Sequence, residues 1–232
     1  MPVPKIPLRL IGQLERYHEW WWSRQIRKRP IVTSWNRDRR AIFVHIPKTA
    51  GTTVLEALGA DPVFDTHAPA RIYRMADPAL FASAYKFTIV RNPWDRFASA
   101  FHFMKSGTDW PMQQQWAERY IGDMDFQQFV HKLRNPFFRM AILSERFFWP
   151  QRYWTIDRQG EQLIDSVYRF EEIGIALPAL CERLGLTAPG VVPTRRSSKR
   201  AHYADLYDRQ SAAMIGRIYA QDVAAFGYSF AC

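Results

Sequence analysis

Residues 41–58 read AIFVHIPKTAGTTVLEAL. A short, mostly apolar run, Ala41 to Ile46, meets Pro47-Lys48-Thr49-Ala50-Gly51, and Thr52 to Leu58 then has helical character. A short apolar run bounded by turn residues reads as a buried strand, so this stretch predicts strand, tight turn, helix. Such a loop aims backbone N–H groups and the positive end of a helix at one point, where a phosphate can sit. Gly51 permits close approach of the backbone, Lys48 adds a point charge, and Thr52 and Thr53 add hydroxyl donors. The loop is not a Walker A motif, because its lysine precedes the glycine instead of following it. The plain alternative is an ordinary strand-to-helix turn with a surface lysine. The crowding of Lys, Thr and Gly in one turn favours the anion site.

The alternation continues outward. Val63 to Thr66 is a candidate strand, Ala70 to Ala84 is helical with a break at Pro78, and Phe87 to Val90 is a second clear strand. Asn92-Pro93 opens a helix to about Met104, with proline at an early helical position. Lys105 to Gln159 is rich in aromatics and Gln and has weaker periodicity, apart from a helix over Phe126 to Leu133 behind Asp125 as N-cap. Val167 to Phe170 returns to the sheet, and Ile173 to Leu184 is helical until Gly185. Thr187 to His202 is a polar, basic loop, and 208–225 is a last amphipathic helix or pair of helices. Strands alternating with helices predict an α/β fold: a parallel sheet in three layers.

The 232 residues are 47% hydrophobic and 23% charged, which excludes a disordered tail, a fibre or a disulfide-stapled miniprotein. No apolar run approaches the roughly 18 residues of a membrane span. Two cysteines, Cys181 and Cys232, make a reducing cytosol the expected compartment. The net charge of +10 is unevenly placed. Residues 1–40 hold ten Lys/Arg against three Asp/Glu, leaving 22 against 19 for the remainder. The expected organisation is therefore a basic arm, 1–40, and a nearly balanced domain, 41–232, whose anions must be met by a local site. Leu14 to Arg29 reads as a helix carrying Trp20-Trp21-Trp22 beside four basic residues, ended by Pro30. Such a helix can lie on an anionic membrane, or its tryptophans can pack on the body.

The second motif is FTIVRNPWDRFASAF, residues 87–101. Arg91 stands at a strand's C-terminal edge, where open α/β sheets bind ligands and where a guanidinium can pair with a phosphate. Alternatively, it pairs with Asp95. His67, just after the candidate strand 63–66, has an imidazole suited to proton removal near neutral pH, the other reading being a hydrogen-bonded structural histidine. His45 reads as a packing or loop-ordering residue, and His102 is the reserve base. Trp110, Trp116, Trp149 and Trp154 could stack on sugar rings or simply fill the core.

Together HIPKTAGTT and VRNPWDRFASAF resemble the paired nucleotide motifs of the carbohydrate sulfotransferases that use 3′-phosphoadenosine-5′-phosphosulfate (PAPS). Weaker likeness runs through Pro150-Gln151, Asp157, Gly160, Tyr168 to Glu171, Leu184 to Leu186 and Ala225 to Tyr228, so that it covers about residues 41–230. The resemblance implies that Lys48, Thr49, Ala50, Gly51, Thr52 and Thr53 hold the 5′-phosphosulfate, and that Arg91 and Ser99 hold the 3′-phosphate. It implies His67 as general base and Lys48 as stabiliser of the leaving phosphate. In similar enzymes a late polar loop closes over the nucleotide, which makes Ser197, Ser198, Lys199 and Tyr203 candidate contacts. PAPS is the implied co-substrate, with no metal, and the implied acceptor is a hydroxyl of a glycan or glycolipid. Neither nucleic acid nor a transmembrane anchor is expected; a cytosolic enzyme whose arm contacts the inner membrane face is. A P-loop-type kinase is the rival enzyme, weakened by the missing Lys-Ser/Thr after the loop and by the lack of a strand-end Asp for magnesium. The third reading is a non-catalytic RNA- or membrane-binding protein driven by the arm.

Overall fold

The computed structural model describes residues 30–60, 67–107, 110–188 and 202–230, with Trp20, residues 22–24 and Ile26. In chain order its helices and strands are α1 (Ser34–Arg39), β1 (Ala41–Val44), α2 (Gly51–Ala57), α3 (Ala70–Ala76), α4 (Pro78–Ser83), β2 (Tyr85–Val90), α5 (Pro93–Lys105), α6 (Pro111–Tyr120), α7 (Phe126–Lys132), α8 (Pro136–Leu143), α9 (Arg152–Thr155), β3 (Ser166–Arg169), α10 (Ile173–Arg183), α11 (Arg209–Ile218) and α12 (Ala220–Phe226). Among the described residues two compact units result: a sheet unit, made of the chain up to Arg91 and again from Gln151 to 188, and a helical unit, made of Asn92–Pro150 and 202–230.

The sheet unit has the expected α/β character, with a parallel three-stranded sheet in the order β1-β2-β3. Phe43 stands opposite Phe87, which stands opposite Ser166. All four β1 residues are buried, so both faces of this strand are covered, as its unbroken apolar run requires. One face packs Ala41, Phe43, Phe87 and Ile89 on Val54 and Leu58 and on Leu177, Leu180 and Cys181 of α10. The same face carries a ladder of rings: Tyr85 on Phe87 at 5.6 Å, Phe87 on Phe43 at 5.2 Å, and Phe43 on His45 at 5.5 Å. The period-two spacing of a strand thus leads from the core directly to a polar ring.

β1 is shorter than the apolar run, ending at Val44, because His45 to Lys48 turn away toward the loop. The candidate strand over 63–66 and most of the loop 187–202 lie outside the described residues. The C-terminal end of the basic arm is built into the sheet unit: Thr33 caps α1, Asn36 donates to the Ala41 carbonyl at 2.9 Å, and the Trp35 indole donates to Leu58 at 3.0 Å. Trp22 is buried, whereas Trp20 is exposed with the Arg24 guanidinium over its ring at 4.2 Å. Among the described residues no helix is long and apolar enough to cross a membrane.

The helical unit is held by aromatic packing. Trp94, Phe97, Phe101 and Met104, spaced by three and four, form the buried stripe of α5. They pack with Phe126, Phe129, Phe148, Ile215 and Tyr219. Polar atoms inside this core are matched to carbonyls. The Trp94 indole donates to Ala212 at 2.8 Å, the Tyr219 hydroxyl to Phe148 at 2.6 Å, and the buried Arg96 to Trp149 and Phe147. Desolvation pushes the Tyr219 hydroxyl pKa up. The weakly periodic stretch 105–159 resolves into short helices, two of them with proline in the first turn, at Pro111 and Pro136.

Candidate active site

The loop after β1 is held in an unusual backbone conformation. Lys48 (φ 69°) and Ala50 (φ 65°) are both left-handed, a region that costs a residue with a Cβ roughly 1–2 kcal/mol. Left-handed residues in such a turn can direct neighbouring N–H groups to one side, which is how backbone nests accommodate anions. The buried Thr49 pins this turn by donating its hydroxyl to the Ile46 carbonyl at 2.8 Å. That hydroxyl therefore orders the loop, and Thr49 can offer a ligand only its N–H. Thr52 is exposed, Thr53 is buried, and Ala50 heads α2 with no side-chain cap. Since α2 has only seven residues, the loop backbone and Lys48 carry more of the case than a helix dipole does.

Arg91 arrives at this loop from the end of β2. Its guanidinium donates to the Lys48 carbonyl at 3.3 Å and lies over the Phe170 ring at 4.1 Å. Its own peptide is clamped by the fully buried Gln151. The Arg91 N–H donates to Gln151 Oε1 at 2.9 Å, and Gln151 Nε2 donates back to the Arg91 carbonyl at 2.8 Å. The chain leaves the sheet unit after Arg91 and re-enters it at Gln151, so one side-chain amide ties exit to entry. This pairing stands in for a neighbouring strand and fixes the strand end that presents the arginine.

His67, half-buried, completes the cluster. Its Nδ1 is 3.1 Å from the His45 carbonyl oxygen. A carbonyl only accepts, so Nδ1 carries the proton and Nε2 of the neutral ring is left as a proton acceptor. The His67 ring centroid is 4.0 Å from that of His45 and 6.4 Å from that of the buried Trp154. The imidazole of His45 fills the space that a Cβ on Gly51 would occupy. Glycine at 51 therefore makes room for His45, a different reason from the close approach to phosphate expected of it.

A model of the sulfotransferase family matches residues 34–229. This chain belongs to that family. No curated protein and no solved structure matches it. The sulfotransferase is accordingly a transferase, and the match takes in the loop 47–53, His67, Arg91 and Gln151. Two other expected contacts of the sulfotransferase belong to the helical unit. Ser99 is half-buried on α5 of the helical unit, and Tyr203 opens a short 3-10 turn there, 5.9 Å from Phe230. Ser197, Ser198 and Lys199 are outside the described residues. His102 stacks on Phe126 at 6.1 Å within the aromatic core of the helical unit. Of the four tryptophans considered for sugar stacking, Trp154 is buried, Trp149 is half-buried, Trp116 stacks on Phe148, and Trp110 is exposed. Among the described residues no group of three or more His, Cys, Asp or Glu is placed to hold a metal ion.

Two participants escape a reading of the sequence: the Gln151 clamp and the Phe170 platform. His45 is packed against Phe43 and Gly51, in keeping with the packing or loop-ordering role expected of it, and it stands two residues after Phe43 on the same sheet face.

Proposed function

We propose that this sulfotransferase moves the sulfuryl group of PAPS to a hydroxyl of a glycan or glycolipid, through a P-loop-type nucleotide site at the end of β1. The observation that carries the reading is the hydrogen bond from His67 Nδ1 to the His45 carbonyl, which leaves Nε2 as a base in a cluster shared with the loop. The acceptor oxygen forms a bond to sulfur as the bond from sulfur to the bridging phosphate oxygen breaks, and the hydroxyl proton passes to His67 Nε2. Charge developing on the leaving phosphate is met by Lys48 and by the N–H groups of residues 50–53, already oriented by the two left-handed residues. In-line placement of donor and acceptor supplies much of the remainder. Following the family pattern, Arg91 and Ser99 take the 3′-phosphate, with Ser197, Ser198, Lys199 and Tyr203 as closing contacts.

The acceptor side of the proposal rests on the arm. Net positive charge over residues 1–40 and the exposed Trp20 beside Arg24 suit an anionic membrane face and a lipid-linked sugar.

Calorimetry tests the donor. The spent donor, 3′-phosphoadenosine 5′-phosphate (PAP), should bind the intact chain at least tenfold more tightly than AMP or ATP, and Arg91→Ala should lose about 10- to 100-fold, the worth of a charge-assisted contact. Equal or tighter binding of ATP would sink the reading.

A further inference from the structure

We propose that His45 is a positioning residue: its side chain is a wedge that sets the distance and orientation of His67 relative to the phosphate loop. The inference rests on the reading of His67 as base and of residues 47–53 as the 5′-phosphate site. His45 is 6% exposed and meets a different partner on each side. Behind it, the ring lies nearly parallel to Phe43, at 13°, and Phe43 in turn stacks on Phe87 in the sheet core. In front, it occupies the place of the missing Gly51 Cβ. Beside it stands the His67 ring at 4.0 Å, while the His45 carbonyl holds His67 Nδ1.

Each contact alone is ordinary packing; their convergence on one residue is what gives His45 a role. A ring backed by the aromatic ladder cannot retreat, so displacement of the loop at Gly51 is passed through it to His67. A ring at position 45 and no side chain at position 51 are complementary in volume, and changing either disturbs the other. The backbone of His45 selects the tautomer of His67, and its side chain keeps the His67 ring where that hydrogen bond can form.

The test uses the full chain as wild type, His45→Ala, Gly51→Ala and the double variant, with thermal melts to confirm folding. PAP affinity is read by calorimetry and the His67 tautomer by 15N NMR of the imidazole nitrogens. Wild type should show a single tautomer, Nδ1 protonated and Nε2 bare. Gly51→Ala should weaken PAP binding by roughly tenfold, because overpacking pushes the loop off its wedge. It should also perturb the His67 signals, although residue 51 is not their direct partner. His45→Ala should move His67 toward averaged tautomers. The double variant should regain PAP affinity to within about threefold of wild type, a coupling that independent sites do not show, while His67 stays averaged.

Unchanged His67 signals in Gly51→Ala, or a double variant that binds PAP no better than Gly51→Ala alone, would overturn the proposal. The donor reading fails separately. If wild type does not bind PAP yet His67 is fixed and released by His45→Ala, the wedge stands without it. If PAP binds but His67 is already averaged in wild type, the wedge falls and the donor remains.

Discussion

In the helical unit, α5, α7, α8 and α11 each start on a side chain that accepts from its own first turn, Asn92, Asp125, Asn135 and Asp208, while α6 and α12 start without one. In the sheet unit α9 and α10 also start without one, and α1 and α4 are capped, by Thr33 and Asp77. The helices that follow the loop and His67 are not: α2 starts on Ala50 and α3 on Pro69, neither with a side-chain cap. Polar side chains around these two starts bond to loop and strand carbonyls instead. Thr49 donates to Ile46, His67 to His45 and Arg91 to Lys48. Caps stabilise a helix by satisfying its first N–H groups. Carbonyl ties of this kind do something else, fixing the direction of a donor or a base before substrate arrives. At the capped helices of both units polar groups finish secondary structure, whereas around the loop they hold a shape the chain would not adopt alone.

The largest expected effect falls on the loop. Lys48→Ala should lower release of PAP from PAPS by roughly 10²- to 10³-fold, the range for losing one stabiliser of developing charge. The unfolding midpoint should barely move, because Lys48 is only half-buried. PAP affinity should fall much less than turnover. A loss in turnover below about tenfold would mean that the backbone nest, without its lysine, holds the leaving group.

Gln151→Ala comes next and separates architecture from charge. It leaves the N–H and C=O of Arg91 without their amide partner in a fully buried position, at a cost of about 1–3 kcal/mol in denaturant unfolding. If Gln151→Ala leaves stability unchanged, the exit and entry of the sheet unit are not tied by this amide.

How much of this was legible in the sequence follows the range of each interaction. The unit β1, loop, α2 could be read because its signals are local: an apolar run, a Pro and Gly turn, a following helix. Asp125 and Pro93 announced their helices for the same reason. The region 105–159 was harder, because its apolar residues are aromatic and gain their places from distant partners, as Phe148 does from Phe97 and Trp116. Gln151 pairs with a residue 60 positions away, and nothing near it in sequence marks a clamp. Gly51 stands out as a turn glycine, but that its missing Cβ makes room for His45 depends on the turn that brings the two together.

A smaller effect belongs to the capped helices. Asp208 accepts from the Ser211 N–H and from His131 Nε2 at 2.9 Å, and the backbone bond above all holds its pKa down at about 2, against an ordinary 3.8. A lowered carboxylate pKa contributes stability above the unfolded value that is lost as pH falls through the folded one. The contribution of Asp208 should therefore be full above about pH 4 and vanish toward pH 2. Asp208→Ala should cost about 1 kcal/mol at pH 7, and the difference from wild type should shrink over that window, as read from unfolding curves at stepped pH. PAP affinity should not change.

The smallest effect is the sharpest for the comparison, because stability and binding should move in opposite directions. Ala50 and Arg40 are both left-handed with a Cβ, the first in the phosphate loop and the second closing α1. Glycine at either position relieves the backbone but gives the unfolded chain more freedom, leaving a net gain of about 0.5 kcal/mol. Arg40→Gly should show that gain and no change in PAP affinity. Ala50→Gly should show a similar gain together with an affinity about threefold weaker, since a loop free to leave the nest must be re-ordered on binding. Equal behaviour of the two variants in both measurements would mean that the left-handed turn at Ala50 is only a way of connecting β1 to α2.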